Sequence, residues 1–220
     1  MKQPNVVEFF HRLAADNPHP ETELEYGNAY QLLVAVTLSA QMTDVGVNKA
    51  TRPLFADVKT PQQMLALGHD RLRAAIQSIN FNNTKARNVI ALSEALVRDH
   101  AGEVPDNRAA LEALPGVGRK TANVVLNSAF GHETFAVDTH IFRVCNRTGL
   151  ARGKTPLDVE LKLDKVVPQP FRLHAHHWLI LHGRYTCKAR TPECWRCVVV
   201  DLCAFKPKTP PPKNWTPPGE

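Results

Sequence analysis

Four cysteines near the carboxyl end of the chain form the densest group of metal-binding side chains in the sequence. Cys187, Cys194, Cys197 and Cys203 are separated by six, two and five residues, whereas the fifth cysteine, Cys145, stands alone. An odd cysteine count without an apolar secretory signal favours a reducing compartment and a metal centre over disulfides. Structural zinc sites usually contain two close cysteine pairs, and one close pair between two medium loops fits a four-iron cluster at least as well. The spacing alone leaves zinc and iron–sulfur open.

A glycine-containing turn is the second feature with chemical consequences. The run Leu-Pro-Gly-Val-Gly at residues 114–118 stands between two segments of helical pattern. Gly116 and Gly118 permit positive φ and close approach of the backbone, and Pro115 stiffens the entry. Because the next helix begins directly after this turn, its first N–H groups and the positive end of its dipole form a site for a phosphate.

Lys120 lies in the first turn of that second helix. A lysine there is most often a solvated charge. However, the helix N-terminus and the adjacent Arg119 both disfavour the ammonium form, and a neutral amine is a nucleophile suited to Schiff-base chemistry. An amine beside a phosphate-binding turn suggests attack on a sugar carbon of a bound nucleic acid.

Asp138 stands just before another predicted helix, in the run Val-Asp-Thr-His-Ile at 137–141. Its simplest role is that of an N-cap. That role is compatible with catalysis, because a carboxylate held ionised at a helix N-terminus can stabilise positive charge on a reacting sugar or assist deprotonation of an amine or water.

The composition excludes several classes of protein. Of the 220 residues, 43% are hydrophobic and 22% are charged, which is typical of a globular chain and atypical of a disordered one. No apolar stretch approaches the ~20 residues of a membrane span. Residues 1–118 carry 11 basic and 13 acidic side chains, a net of −2, and residues 119–220 carry 16 and 8, a net of +8. This asymmetry is typical of a polyanion-binding protein, although basicity for solubility alone explains it equally well.

The elements that position these residues are predicted to be helices. Apolar residues recur at helical spacing through most of the chain, beginning with Val6, Phe9 and Leu13, and no sustained alternating pattern predicts a sheet. The chain is therefore predicted to be all-α. Residues 206–220 hold six prolines and three lysines and are predicted to form a disordered tail.

The glycine turn, the lysine after it and the cysteine spacing together resemble the endonuclease III family of DNA glycosylase/AP lyases, in a bacterial form. The resemblance extends from about residue 17 to 205 and is densest at 111–128, 136–148 and 177–203. Leu-Pro-Gly-Val-Gly-Arg-Lys-Thr-Ala at 114–122 and His-Trp-Leu-Ile-Leu-His-Gly-Arg-Tyr-Thr-Cys at 177–187 stand essentially as the family has them.

The resemblance implies two helical domains with a DNA-binding cleft between them. It places a six-helix barrel containing the helix–hairpin–helix at residues 22–133 and an iron–sulfur cluster domain at 1–21 with 134–205. The cysteine spacing is the family's ligand pattern for a structural [4Fe-4S] cluster. Lys120 matches the family's Schiff-base nucleophile, and Asp138 matches its catalytic carboxylate.

The resemblance also implies the DNA contacts. The hairpin turn, through Gly116, Val117, Gly118 and Arg119, is expected to hold the DNA backbone. Three basic residues in the cysteine loops are expected to contact phosphates, offset thiolate charge, or both: Lys188, Arg190 and Arg196.

Two further segments are implied to enter the DNA when the damaged base leaves the helix. Gln41 matches the family's residue that pairs with the orphaned base, and Ile79 and Phe81 fall at the opposing wedge. Ordinary packing at a helix end is the alternative for the latter two. The family commonly has Gly-Leu-Tyr-Asn in the wedge, whereas this chain has Asn-Phe-Asn-Asn at 80–83, so the flexibility of the loop is expected to differ.

On this resemblance the chain is expected to remove oxidised pyrimidines from duplex DNA and to cleave the abasic site by β-elimination. It is expected to act as a monomer in the bacterial cytoplasm, associated with the nucleoid and not with a membrane. A monofunctional mismatch glycosylase is one alternative, and Lys120 counts against it. A non-catalytic DNA-binding module is another, and Lys120, Asp138 and Gln41 count against it.

Four histidines on one predicted helix superficially suggest a second metal site: His174, His176, His177 and His182. Neutral, hydrogen-bonded histidines in a packed helix are the preferred interpretation, because four cysteines already complete a site. Cys145 is predicted to be a small core residue.

Overall fold

The computed structural model describes residues 1–216 and divides the chain into two compact units. One unit comprises residues 21–132, and the other joins residues 1–20 to the chain from residue 133 onward. All regular structure within the described residues is helical, with eleven α-helices and two short 3-10 helices, which confirms the predicted all-α class. None of these helices is both long and apolar enough to cross a membrane. The end of the predicted disordered tail, residues 217–220, lies outside the described residues.

The unit of residues 21–132 is built around a buried helix, α2. Its helices are α2 (Ala29–Leu38), α3 (Asp44–Asp57), α4 (Pro61–Leu67), α5 (His69–Ala75), α6 (Asn82–Asp99), α7 (Arg108–Glu112) and α8 (Arg119–Phe130). Every residue of α2 after the first is buried, and α2 packs against α3, α6 and α8. The helix begins at Asn28, whose side chain accepts a hydrogen bond from the Gln31 N–H at 2.9 Å. This central helix leads directly into the Gln41 loop.

The second unit is assembled around an aromatic core. Its helices are α1 (Gln3–Asp16), α9 (Thr139–Thr148), α10 (Pro156–Val166) and α11 (Arg172–Tyr185), with 3-10 turns at Gln169–Phe171 and Cys194–Arg196. The ring centroid of Phe171 lies 5.7 Å from that of Phe10 and 6.2 Å from that of Trp178. The Trp178 Nε1 donates a hydrogen bond to the Asn17 carbonyl at 2.8 Å, which attaches the end of α1 to α11. Cys145 is fully buried on α9.

Three of the four histidines on α11 are buried: His176, His177 and His182. Burial lowers the pKa of His177 to about 4, and the charge of His174 acts in the same direction. Burial and then the charge of Arg196 lower the pKa of His182 to about 4. Both imidazoles are therefore neutral at pH 7.

Acidification is expected to destabilise the protein through His177. Its folded pKa of about 4 lies below its ordinary value of 6.5, so the unfolded chain binds more protons between these pH values. The free energy of unfolding therefore falls as the pH drops from 6.5 towards 4, by about 2 kcal/mol from this group at pH 5. Urea unfolding of the wild type and of His177→Gln at pH 7 and pH 5 measures the effect. A stability difference between the two proteins that does not change with pH would contradict it.

Candidate nucleic-acid interface and metal centre

The turn between α7 and α8 depends on one of its two glycines for its shape. Gly116 has a φ of +77°, and a Cβ at this position would lie 2.8 Å from the Asn88 Cβ on α6. Both the backbone conformation and the close approach therefore require glycine. Gly118 has a φ of −99°, and a Cβ there would meet nothing within 4 Å. The space beside Gly118, at the start of α8, is open.

The first turn of α8 presents its N–H groups outward along the helix axis, where they favour an anion. Val117 faces the other way. Its side chain is buried, and its N–H donates to the Leu114 carbonyl at 3.1 Å, so this amide is used inside the turn. The DNA contact predicted for Val117 stays a prediction. The Arg119 guanidinium lies 3.9 Å from the Glu112 carboxylate, an exposed pair worth at most about 1 kcal/mol.

Lys120 and Asp138 belong to different units, and both stand at a helix N-terminus. Lys120 is exposed in the first turn of α8. Asp138 is the N-cap of α9, and its Oδ1 accepts hydrogen bonds from the N–H groups of His140 at 2.9 Å and Ile141 at 2.8 Å. Both capping hydrogen bonds are made to Oδ1, and they hold the carboxylate in place. Oδ2 accepts neither of these two bonds. Each group is of a type used in chemistry at a sugar carbon: an exposed amine can act as a nucleophile, and a fixed carboxylate can stabilise positive charge.

The predicted insertion residues occupy two strained loops of the unit 21–132. Gln41 and Phe81 have φ of 56° and 57°, in the left-handed region that residues other than glycine rarely adopt. Phe81 is 65% exposed, a large value for an aromatic side chain, and Gln41 is also exposed. Ile79 is only 1% exposed, which is consistent with the alternative of ordinary packing at a helix end. Of the two predicted wedge residues, Phe81 alone faces solvent.

The four clustered cysteines line one small cavity. No three His, Cys, Asp or Glu side chains within residues 1–216 converge closely enough for a single metal ion. Burial raises the pKa of the Cys197 thiol to about 11, so a thiolate at this position needs positive charge beside it. Four partly buried thiols around one cavity fit a cluster of several iron atoms.

Two arginines that sequence reasoning missed connect α9 to the cysteine loop. Arg143 donates to the carbonyls of Gly183 at 2.7 Å and Cys187 at 2.9 Å. Arg147 donates to the carbonyls of Lys188 and Ala189, both at 2.7 Å. Their four-residue separation places both on one face of the helix. This spacing is the feature of the sequence from which the pair could have been identified. They hold the loop that follows the first clustered cysteine.

Arg147 also reaches the other end of the cysteine segment. Its guanidinium stands 4.8 Å from the ring centroid of Phe205, and its carbonyl accepts a contact from the Cys203 thiol at 3.8 Å. Its Nη1 lies 3.7 Å from the Cys187 sulfur. One residue, through its side chain and its carbonyl, thus touches the first and last parts of the metal-binding segment.

The predicted phosphate contacts of the cysteine loops differ in their surroundings. The Lys188 Nζ lies 2.5 Å from the Glu193 carboxylate, and Arg196 pairs with the same carboxylate. The bonds from Lys188 and Arg196 lower the pKa of Glu193. Arg190 is exposed. A phosphate therefore competes with Glu193 for two of the three cations.

Replacing Arg147 with methionine is expected to loosen the cysteine loop and to speed loss of the cluster about ten-fold, because two charge-assisted hydrogen bonds disappear. The decay of the iron–sulfur absorbance near about 400 nm under chelator measures this. Arg190→Met, an exposed arginine of the same loop, is the matched control for cluster retention. Equal decay in the two variants would contradict a role for Arg147.

Two protein-family models match the chain. The model of HhH-GPD superfamily base excision DNA repair proteins matches residues 34–169, more than half of the chain. The model of the iron-sulfur binding domain of endonuclease III matches residues 187–203, which contain all four clustered cysteines.

Similar proteins cover nearly the whole chain. Endonuclease III of Haemophilus influenzae is 59% identical over 208 residues, which are 94% of this chain and 99% of that protein. Endonuclease III of Escherichia coli K12 is 57% identical with the same coverage. A solved structure of a trapped endonuclease III–DNA covalent intermediate, an estranged-adenine complex, matches with a TM-score of 0.86 at 42% identity. That match covers 92% of this chain and 96% of the other.

Proposed function

The chain belongs to the endonuclease III family of the HhH-GPD superfamily of base excision DNA repair proteins, and from this membership we propose a substrate class and a role for each site residue. The protein is a DNA glycosylase and AP lyase that binds DNA and carries a [4Fe-4S] cluster. Its substrates are oxidised pyrimidines in duplex DNA. Such bases have lost aromaticity and stack poorly, which lowers the cost of extruding them from the helix.

Lys120 is the nucleophile, and its exposed position directly after the hairpin turn is the observation that carries this proposal. Its amine attacks C1′ of the damaged nucleotide, and the base leaves with the electrons of the glycosidic bond and takes up a proton. Opening of the sugar ring gives an imine between Lys120 and C1′. Loss of a 2′ proton then breaks the C3′–O bond, which cuts the strand 3′ to the lesion.

Asp138 supports this chemistry as a fixed anion. The two backbone bonds to its Oδ1 prevent the carboxylate from turning away, so its charge is preorganised before the substrate arrives. It stabilises the positive charge that develops on the sugar as the base departs, and it assists deprotonation of the attacking amine.

The DNA contacts follow from the surfaces described above. The N-terminus of α8, at Gly118 and Arg119, takes one backbone phosphate, and Gly116 shapes the turn before it. Arg190 and the neighbouring cations of the cysteine loops take others. The chain acts as a monomer on the DNA of the bacterial nucleoid. Size-exclusion chromatography with light scattering, with and without duplex DNA, tests the monomeric state.

Cys187, Cys194, Cys197 and Cys203 are the cluster ligands in this proposal, since they line one cavity. When bound, the cluster serves as a structural centre that holds the basic loop together. The residues of the chain that orient this loop are Arg143 and Arg147.

The test compares duplexes that contain thymine glycol, a normal thymine, or a G·T mismatch. Base release together with strand cleavage is expected for thymine glycol only. Base release from the mismatch without cleavage would overturn the proposal in favour of a monofunctional mismatch glycosylase. DNA binding with no base release from any duplex would favour a non-catalytic module.

A further inference from the structure

The two loops predicted to enter DNA are joined by side-chain hydrogen bonds from one short segment. The Asn80 Nδ2 donates to the Gln41 carbonyl at 3.0 Å. The Lys85 Nζ donates to the Leu38 carbonyl at 2.8 Å and to the Ala40 carbonyl at 2.6 Å. Three of the four carbonyls at 38–41 therefore accept bonds from side chains of residues 80–85.

Lys85 is an unusual residue to find in this place. It is only 6% exposed, although a lysine is rarely buried without a partner. Burial lowers the pKa of its ammonium group. The bonded carbonyls lie at the C-terminus of α2, where a helix leaves acceptors without an intrahelical partner and where its dipole favours a cation. Lys85 thus fixes the exit of α2, from which the Gln41 loop extends.

Asn80 connects the same loop to the wedge. It directly precedes Phe81, whose left-handed backbone is strained and needs support from its surroundings. The glycine that the family commonly has at this position has no side chain with which to make the bond to Gln41. The asparagine at this position therefore adds a direct hydrogen bond between the Gln41 loop and the Phe81 wedge.

We propose that Asn80 and Lys85 are positioning residues that hold the Gln41 loop and the Phe81 wedge as one rigid unit for insertion into duplex DNA. This inference rests on the proposed function, because Gln41 and Phe81 are assigned to the DNA by family membership. The pair acts on the opening of the duplex and not on the bond-breaking steps, which Lys120 and Asp138 perform.

The experiment uses Asn80→Ala, because Asn80 is exposed and its replacement leaves the core intact. The probe is a duplex with a tetrahydrofuran abasic analogue opposite 2-aminopurine, whose fluorescence rises when the opposite base is unstacked. The variant is expected to bind this duplex about five-fold more weakly, as loss of one hydrogen bond predicts, and to produce a smaller fluorescence rise. A single-stranded abasic oligonucleotide has no opposite strand into which the two loops would insert. On this substrate the variant is expected to form the borohydride-trapped imine at the wild-type rate.

Asn83→Ala is the matched control, an exposed asparagine of the same segment that is expected to behave as the wild type on all three measurements. Asn80→Gly, which restores the family residue, is expected to give the same duplex affinity and fluorescence rise as Asn80→Ala.

A double variant tests the link to the wedge. In a Phe81→Ala background, Asn80→Ala is expected to lower duplex affinity less than it does in the wild type, because no wedge is left to position. Lys85→Met is expected to lower duplex affinity and the fluorescence rise more than Asn80→Ala does.

Duplex affinity and fluorescence equal to those of the wild type would overturn the positioning role. An equal loss on the duplex and on the single strand would also overturn it, since a general structural defect gives that result. Failure of the proposed function has a different signature, because the wild type itself would then form no trapped imine on the single strand.

Discussion

Replacing Lys120 with alanine is expected to abolish the covalent adduct that borohydride traps on abasic DNA and to slow strand cleavage by about 10³-fold or more, a loss typical for a covalent nucleophile. No other group that the proposal places in the site provides an amine for the imine. The variant is expected to fold normally, because Lys120 is exposed. Denaturing electrophoresis of the reduced reaction, with a pre-formed abasic site as substrate, measures the lyase step without the prior loss of a base.

Lys49→Ala is the control for this experiment, an exposed lysine on α3 in the same unit as Lys120. This variant is expected to form as much borohydride-trapped adduct as the wild type. DNA binding by Lys120→Ala is expected to fall only slightly, since a single exposed cation makes a small contribution to affinity. Undiminished cleavage by Lys120→Ala would remove this residue from the mechanism and assign the hairpin to binding alone.

Replacing Asp138 with asparagine is expected to slow release of an oxidised pyrimidine by about 10²-fold, because the sugar loses the anion that stabilises its developing positive charge. Asparagine caps a helix as well as aspartate does, so α9 is expected to begin at the same residue. Trapping on a pre-formed abasic site is expected to fall less than base release, since the bond to the base is already broken. Single-turnover kinetics on the two substrates separate these steps.

Asp158→Asn is the matched control, since it removes a carboxylate from the N-terminal turn of α10 in the same unit. The residue accepts backbone bonds from Lys154 and Thr155, so the variant is expected to lose stability and keep its activity. Equal losses of base release in the two variants would mean that Asp138 acts only as a cap.

Features that lie within one short stretch of sequence were predictable, because their causes are local. The turn at 114–118 has its glycine where the backbone requires positive φ, and Asp138 caps the helix that the pattern places after it. The cysteine spacing predicted a metal centre, and the four thiols do line one cavity. The all-α class followed from helical periodicity over most of the chain.

Contacts between distant residues were not predictable, because periodicity records which face of a helix is apolar but not what that face meets. Ile79 lies in the core, although it stands only two residues before the exposed Phe81. Arg147 reaches a cysteine loop 40 residues further along the chain.

The sequence by itself determined the helices, the hairpin turn, the nucleophile candidate and the candidate metal-ligand set, since each depends on residue type and short spacing. Only the tertiary structure decided that Lys85, 47 residues from Leu38, closes the end of α2. The physical reason is that a buried ammonium group needs hydrogen-bond acceptors, and the carbonyls at the end of α2 come within reach of Lys85 only when α2 packs against α6. Helix packing therefore turned a lysine in an ordinary helical segment into the support of the Gln41 loop.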